Sequence, residues 1–401
     1  MEFRMAPSPF GGRLGWGESV TARRCVFGDF SASRAFPLGG GSLSLRRRAL
    51  LFSGAALTLP SFAVTSTPGI RPRPLVFPAD FGAHPDTRTE WWYITGSLDS
   101  GSEKFGFQIT FFRSRTSVPA DHPSRFAASQ LHFAHVALTD LAAGRMRHDQ
   151  RIARAGFGRA SAAQGNTKLN LGGWTLERDG KPSASRYRTR IASQGFEFDF
   201  TLIATQPVLL QGDAGFSRKG PRPEQASHYY SLPQLALSGQ LKRDGKAMPV
   251  TGRAWLDHEW SDAYLDPFAV GWDWVGMNLD NGGALTAFRL RRADGSALYA
   301  GGSFRRADGA LTVFGPDEVR FTPGRTWRSA SSGTVYPVAW TLDTPAGRFN
   351  VASLLDSQEL DSRNSTGAIY WEGLSELRDS AGRRIGRGYL EMTGYAARLR
   401  M

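Results

Sequence analysis

The chain has 401 residues, of which 41% are hydrophobic, 21% charged and 12% aromatic, with 46 glycines and 11 tryptophans. That length suits two ordinary domains, and the apolar-to-charged balance excludes a disordered chain. The formal net charge is +13, yet residues 1–63 hold 8 arginines against 3 acids, and no Lys/Arg run interleaved with aromatics follows; this composition argues against nucleic acid as a partner.

Residues 1–44 are rich in Gly, Arg and Ser without periodicity, and translation is expected to begin near Leu43 to Leu45. Arg46-Arg47-Arg48 then precede a short apolar run that ends at Ser61-Phe62-Ala63. A basic start, an apolar core and a small-x-small end make an export signal, and the run is too short for the ~20 residues of a spanning helix. The paired arginines resemble a twin-arginine signal, with Sec export as the alternative. The expected location is periplasmic or secreted; the competing reading is a cytoplasmic protein with a chance apolar run. Cys25, the single cysteine, falls in the segment expected to be removed, leaving no thiol for a disulfide or a metal.

Residues 64–79 contain Pro68, Pro72, Pro74 and Pro78 and read as an extended linker. From Asp80 the dominant period is two. Glu90–Leu98, a turn at 99–102 and Phe105–Phe112 form a hairpin signal. Leu131–Leu138, Leu169–Leu176, Tyr187–Ile191, Phe196–Ile203 and Leu235–Leu241 are further expected strands. Leu285–Arg291, Ala297–Phe304, Val338–Leu342, Asn350–Leu355, Ile369–Leu374 and Gly388–Gly394 repeat the style, with Asp-Gly turns at 294–295 and 308–309. No amphipathic stretch exceeds about three helical turns. The fold class is therefore all-β, a sandwich or barrel.

Acidic-aromatic clusters stand apart from ordinary strand composition: Glu90-Trp91-Trp92-Tyr93, Asp257-His258-Glu259-Trp260, Trp272-Asp273-Trp274, and Tyr370-Trp371-Glu372 with Tyr389 and Glu391. Ala226–Ser231 adds His228 and Tyr229 between hydroxyl groups. If Ala254–Trp260 is one strand, Asp257 and Glu259 share a face with Trp255, while His258 and Trp260 share the other. A carboxyl group facing an aromatic-lined interior loses solvation, holds its proton near neutral pH and serves as a general acid, and aromatic faces stabilise a cation beside it. A neighbouring histidine relays the proton. The competing reading is structural, with these carboxylates accepting hydrogen bonds from buried indoles.

His258, Glu259, Asp262 and Asp266 lack metal-ligand spacing, and His132 and His135, three apart, point to opposite faces of a strand, so no metal is expected. No Gly-x-Ser-x-Gly elbow is present, and the glycines at 212 and 215 precede no helix that would present phosphate-binding amides. Gly215–Gly220 reads as a turn with a solvated basic tip.

These words, in this order, resemble the family that joins AttH-type exported proteins with bacterial carotenoid 1,2-hydratases. The resemblance rests on Asp80–Pro85, Glu90–Gly96, Phe111-Phe112-Arg113, His132–His135, Ala226–Ser231, Trp255–Trp260, Gly271–Trp274 and Gly388–Glu391, spanning roughly 80–395. It implies two consecutive lipocalin-like (calycin-type) antiparallel β-barrel domains, 80–261 and 262–401. It also implies cofactor-free, acid-catalysed addition of water to a C=C bond. The candidate catalytic residues are then Asp273, Asp257, His258 and Glu259, with Asp273 and Asp257 as candidate proton donors. Glu90, Trp92, His228, Tyr229, Trp260, Trp272 and Trp274 are the candidate substrate-binding residues. The expected ligand is an isoprenoid or other lipid held between the barrels; the alternative is a non-catalytic lipid carrier working beside a membrane transporter.

Overall fold

From Thr89 onward the alternating pattern becomes antiparallel strand almost throughout. The computed structural model describes residues 70–262 and 265–399; the expected translation start, Cys25 and the export signal lie outside the described residues. The first sheet has 13 strands. Its path runs Arg145–Arg154, Gln130–Asp140, Glu103–Arg115, Thr89–Ser100, Lys246–Ser261, Ala226–Arg243, Phe196–Ile203, Arg186–Ser193, Trp174–Asp179, Lys168–Leu171 and Ala160–Ala162. It coils into a nearly closed barrel. Arginines lace the remaining seam: Arg151 donates to the carbonyls of Gly172 (2.6 Å) and Ala192 (3.0 Å), and Arg147 to that of Gly195 (2.8 Å).

The second sheet has 10 strands. Its path is Leu311–Phe314, Ala297–Arg305, Ala284–Arg291, Gly271–Leu279, Arg384–Met392, Ile369–Arg378, Gly347–Ser353, Ala339–Thr344 and Arg320–Pro323. Each sheet has its own core. Trp92, Ile94, Phe107, Phe198, Phe200 and Leu256 fill the first, and Val275, Met277, Trp340, Trp371 and Leu390 the second. A barrel interior packed this way leaves little room for a ligand. A third apolar cluster, including Tyr93, Trp255, Trp274, Phe288, Leu374 and Tyr389, joins the sheets face to face.

Three local differences from the sequence reading have physical causes. Leu169–Leu176 is two strands, because Gly172 (φ 59°) and Gly173 (φ 94°) supply the left-handed pair of a tight hairpin turn. Ala226–Ser231 and Leu235–Leu241 are one strand, bent by a bulge at Gln234 (φ 60°), whose amide donates to Asn278 Oδ1 of the second sheet at 2.7 Å. Residues 70–78, read as a linker, lie against the first barrel: Leu75 and Phe77 pack on its core, and Arg73 pairs with Asp80 at 2.7 Å.

Candidate active site

Strand periodicity sorts the candidate residues into two groups. On Lys246–Ser261, Trp255, Asp257 and Glu259 face the second sheet, while Leu256, His258 and Trp260 face the first barrel's interior, the division that alternation predicted. Strand register extends each position into a row. One row runs Ile152, Phe133, Phe112, Trp91, Glu259, Tyr229, and the next runs His135, Thr110, Tyr93, Asp257, Ser231. The facing row on the second sheet is Phe288, Trp274, Glu391, Glu372. These rows enclose a cavity of about 360 Å³, within the size range of small-ligand sites. Gly276 makes room for its indole wall: a Cβ there would lie 2.3 Å from the Trp274 ring.

Four carboxyl groups open on this cavity. Asp257 is buried, which pushes it up to about 7 against hydrogen bonds from Ser231 (2.5 Å), Tyr229 (2.8 Å) and Trp255 (2.7 Å). Tyr229 in turn accepts from Trp274 Nε1 at 3.3 Å, forming a polarised chain that ends on Asp257. Glu259 accepts from Ser227 and pairs with Lys219 at 3.0 Å. Glu372 and Glu391 stand directly opposite each other on neighbouring strands. Burial and the charge of Glu391 push Glu372 well above the usual carboxylate range, against the smaller opposing effect of the Tyr93 hydroxyl beside it. Glu391 is half-buried at the cavity wall, and desolvation pushes it up to about 7, assisted by the charges of Asp257 and Glu259. Two acids this close cannot both ionise cheaply, so the pair holds a proton at neutral pH.

Of the candidate residues, Asp257, Glu259, Tyr229, Trp272 and Trp274 line the cavity. Glu90, Trp92, His258, Trp260 and His228 do not. Glu90 is fully buried on the other face and accepts from His84 Nδ1 (2.7 Å), His258 Nε2 (2.9 Å) and Arg113 Nε (2.8 Å). Burial opposes its charge, but the hydrogen bonds from His258 and His84 win and hold it well below the carboxylate range. Burial lowers His258 to about 4 despite Glu90, so it donates as a neutral ring. His84 faces Asp80 (3.0 Å) and Glu90 and stacks on Trp260 at 3.8 Å; burial works against its charge, yet the two carboxylates raise it, so it sits there as imidazolium. The His84, Glu90 and His258 donor atoms all lie within 4.8 Å of one another. Arg113 and the His84 imidazolium already supply the positive charge a metal would bring. This cluster ties the chain entering the barrel to its rim. His228 Nδ1 is buried without a partner among the described residues, and its ring lies 5.4 Å from Trp260, away from the cavity.

Asp273, a candidate proton donor from sequence, is fully buried on the face of its strand that points away from the cavity. It accepts from Arg289 Nε (2.7 Å) and Tyr395 Oη (2.9 Å). Held this way, Asp273 does not reach the cavity. Asp273→Asn is expected to cost about 3 kcal/mol of stability by leaving Arg289 short of its counter-charge. Turnover per folded molecule should be retained, as denaturant unfolding and activity measured on the same sample will show.

Lys219 corrects a second expectation. Its side chain is only 10% exposed, not a solvated tip, because Phe216–Arg218 pairs with Ala226–His228 and delivers it to Glu259. His135, which alternation set apart from His132, reaches the cavity and hydrogen-bonds Tyr370 (2.8 Å) of the opposite sheet and Ser365 (2.9 Å) of the turn before that strand.

A family model described as AttH-like matches residues 68–395. A crystal structure of an AttH-like protein from Nitrosomonas europaea is similar at a TM-score of 0.75 and 50% identity, covering 81% of this chain and 98% of that one. The structure of kievitone hydratase from Nectria haematococca is similar at a TM-score of 0.62 and 16% identity, covering 80% of this chain and 93% of that one, a likeness of fold. A kievitone hydratase of Fusarium solani subsp. phaseoli is 23% identical over 210 residues, 51% of this chain and 58% of that protein, so the match spans little more than half of that relative.

Proposed function

Because the chain belongs to the AttH-like family, we propose that it adds water to, or removes it from, an unsaturated apolar ligand held between its two lipocalin-like halves. The observation that carries this reading is the Glu372–Glu391 pair, set opposite each other on neighbouring strands and open to an aromatic cavity, where desolvation raises both carboxyl groups. Glu372 gives its proton to the less substituted carbon of a C=C bond, and the π electrons form the new C–H bond. The cation left on the more substituted carbon is stabilised by the faces of Trp91, Trp272 and Trp274. Water adds there through oxygen and loses a proton to Asp257, which the Tyr229–Trp274 chain keeps oriented. Proton exchange with solvent returns both carboxyl groups to their starting states. Read backwards, the same steps dehydrate a tertiary alcohol. The lining is mainly aromatic and aliphatic around the carboxyl groups, which suits an isoprenoid-type ligand.

The pH dependence follows from the same groups. Glu372, Glu391, Asp257 and Glu259 line one cavity with Lys219 and Arg88 as cations and Tyr93, Tyr229, Tyr370 and His135 as further titratable neighbours. Raising the pH strips the donor Glu372, which ionises above its partner Glu391 at about 7, so water addition to an acyclic isoprenoid alkene is expected to fall as pH climbs beyond that value. A rate that climbs steadily through that region would count against an acid donor. A ligand that binds and is recovered unchanged at every pH would favour a carrier.

A further inference from the structure

One feature of the surface is left unused by this chemistry. Phe126 is 69% exposed and Phe157 is 52% exposed, and their rings stack at 5.5 Å. The Arg154 guanidinium lies 5.0 and 4.7 Å from the two rings, and Arg125 lies 6.0 Å from Phe157. Phe157 holds a left-handed backbone (φ 56°) between Gly156 and Gly158, both also at positive φ. A bulky aromatic is costly there, and holding it in water at a loop tip adds to the cost. Residues 151–159 carry Arg151, Arg154 and Arg159 and no acid, and the facing loop 116–129 has Asp121 as its single acid.

This patch adjoins the entrance of the cavity. Arg154 pairs in register with Leu131 and Ile152 with Phe133; Leu131, Ile152 and Phe133 all line the cavity, and Ile152 is 47% exposed. An apolar tip ringed by arginines matches the interface of an anionic bilayer, where the rings reach the acyl boundary and the guanidinium groups meet phosphate. We propose that the Phe126–Phe157 tip, with Arg125, Arg154 and Arg159, docks reversibly on an anionic phospholipid surface, so that the cavity exchanges its apolar ligand with the membrane. The need for such exchange rests on the apolar-ligand reading above; the docking surface itself does not.

The test is co-sedimentation of the full chain with vesicles of phosphatidylcholine, alone or mixed with phosphatidylglycerol. The expected result is binding to the mixed vesicles and little to phosphatidylcholine alone. F126S/F157S should weaken that binding about tenfold, and R125E/R159E comparably and in a salt-sensitive way. All four side chains are exposed, so the variants are expected to fold, which circular dichroism checks. Wild-type protein that sediments with neither vesicle, or variants that sediment like wild type, would overturn the proposal. Turnover of a short isoprenoid alcohol such as farnesol in solution is read in parallel. Its absence alongside intact vesicle binding would remove the hydratase reading and leave docking in place.

Discussion

Glu372→Gln is expected to lower turnover by about 10²- to 10⁴-fold, the usual contribution of a positioned general acid. The same change should leave the protein at least as stable as wild type, and more so as pH rises. Glu372 binds its proton in the fold at pH values where the unfolded chain, titrating near the ordinary glutamate value of 4.5, has lost it. Folding therefore takes up a proton above that value, and stability from this group falls by on the order of 1.4 kcal/mol per pH unit until the folded group itself ionises. Gln has nearly the shape of the protonated acid and does not titrate. Melting temperatures at about pH 6 and about pH 8, measured with the rate, test both halves. Unchanged turnover, or a variant that loses stability as pH rises, would remove Glu372 as the donor.

The second large effect is on stability. Arg113→Leu should cost about 3–5 kcal/mol, because it leaves the Glu90 charge buried without its guanidinium. Arg113 is 1% exposed and also donates to the carbonyls of His84 (2.7 Å) and Thr87 (2.9 Å) and to Gln130 (2.8 Å), so the loop entering the first barrel loosens with it. Adding Glu90→Gln should recover part of the loss, since the stranded charge is gone. Urea unfolding of both single variants and the double variant measures that coupling. Strict additivity would mean that Arg113 acts through the loop alone. The His84 contribution has the same pH sense as that of Glu372: its folded value is raised, so it stabilises below the ordinary histidine value and is lost as pH rises through the folded one.

Much of the fold was legible because period-two alternation reports a sheet with one face buried, and the aromatic-acid words fell on strands as expected. The strand Arg145–Arg154 escaped notice because polar residues occupy both of its faces at the barrel seam. Alternation also divided Trp255, Asp257 and Glu259 from His258 and Trp260. It did not say which face met the second sheet, and so the buried Glu90–His258 cluster looked as functional as the cavity. In Trp272-Asp273-Trp274 the three residues were read as a unit, although their parity sends both indoles to the cavity and the acid away from it. The Glu372–Glu391 cluster was noticed as composition, but its meaning depends on a strand register that places the two acids opposite each other. Lys219 was missed because a short polar turn gives no local sign that a neighbouring strand will bury it.

The most direct test is incubation of the protein with an acyclic isoprenoid alkene in oxygen-labelled, deuterated water. The expected product is a tertiary alcohol carrying one labelled oxygen and one carbon-bound deuterium on the adjacent carbon, formed by wild type and nearly absent with Glu372→Gln. Alkene that co-purifies with the protein yet returns without label would contradict it.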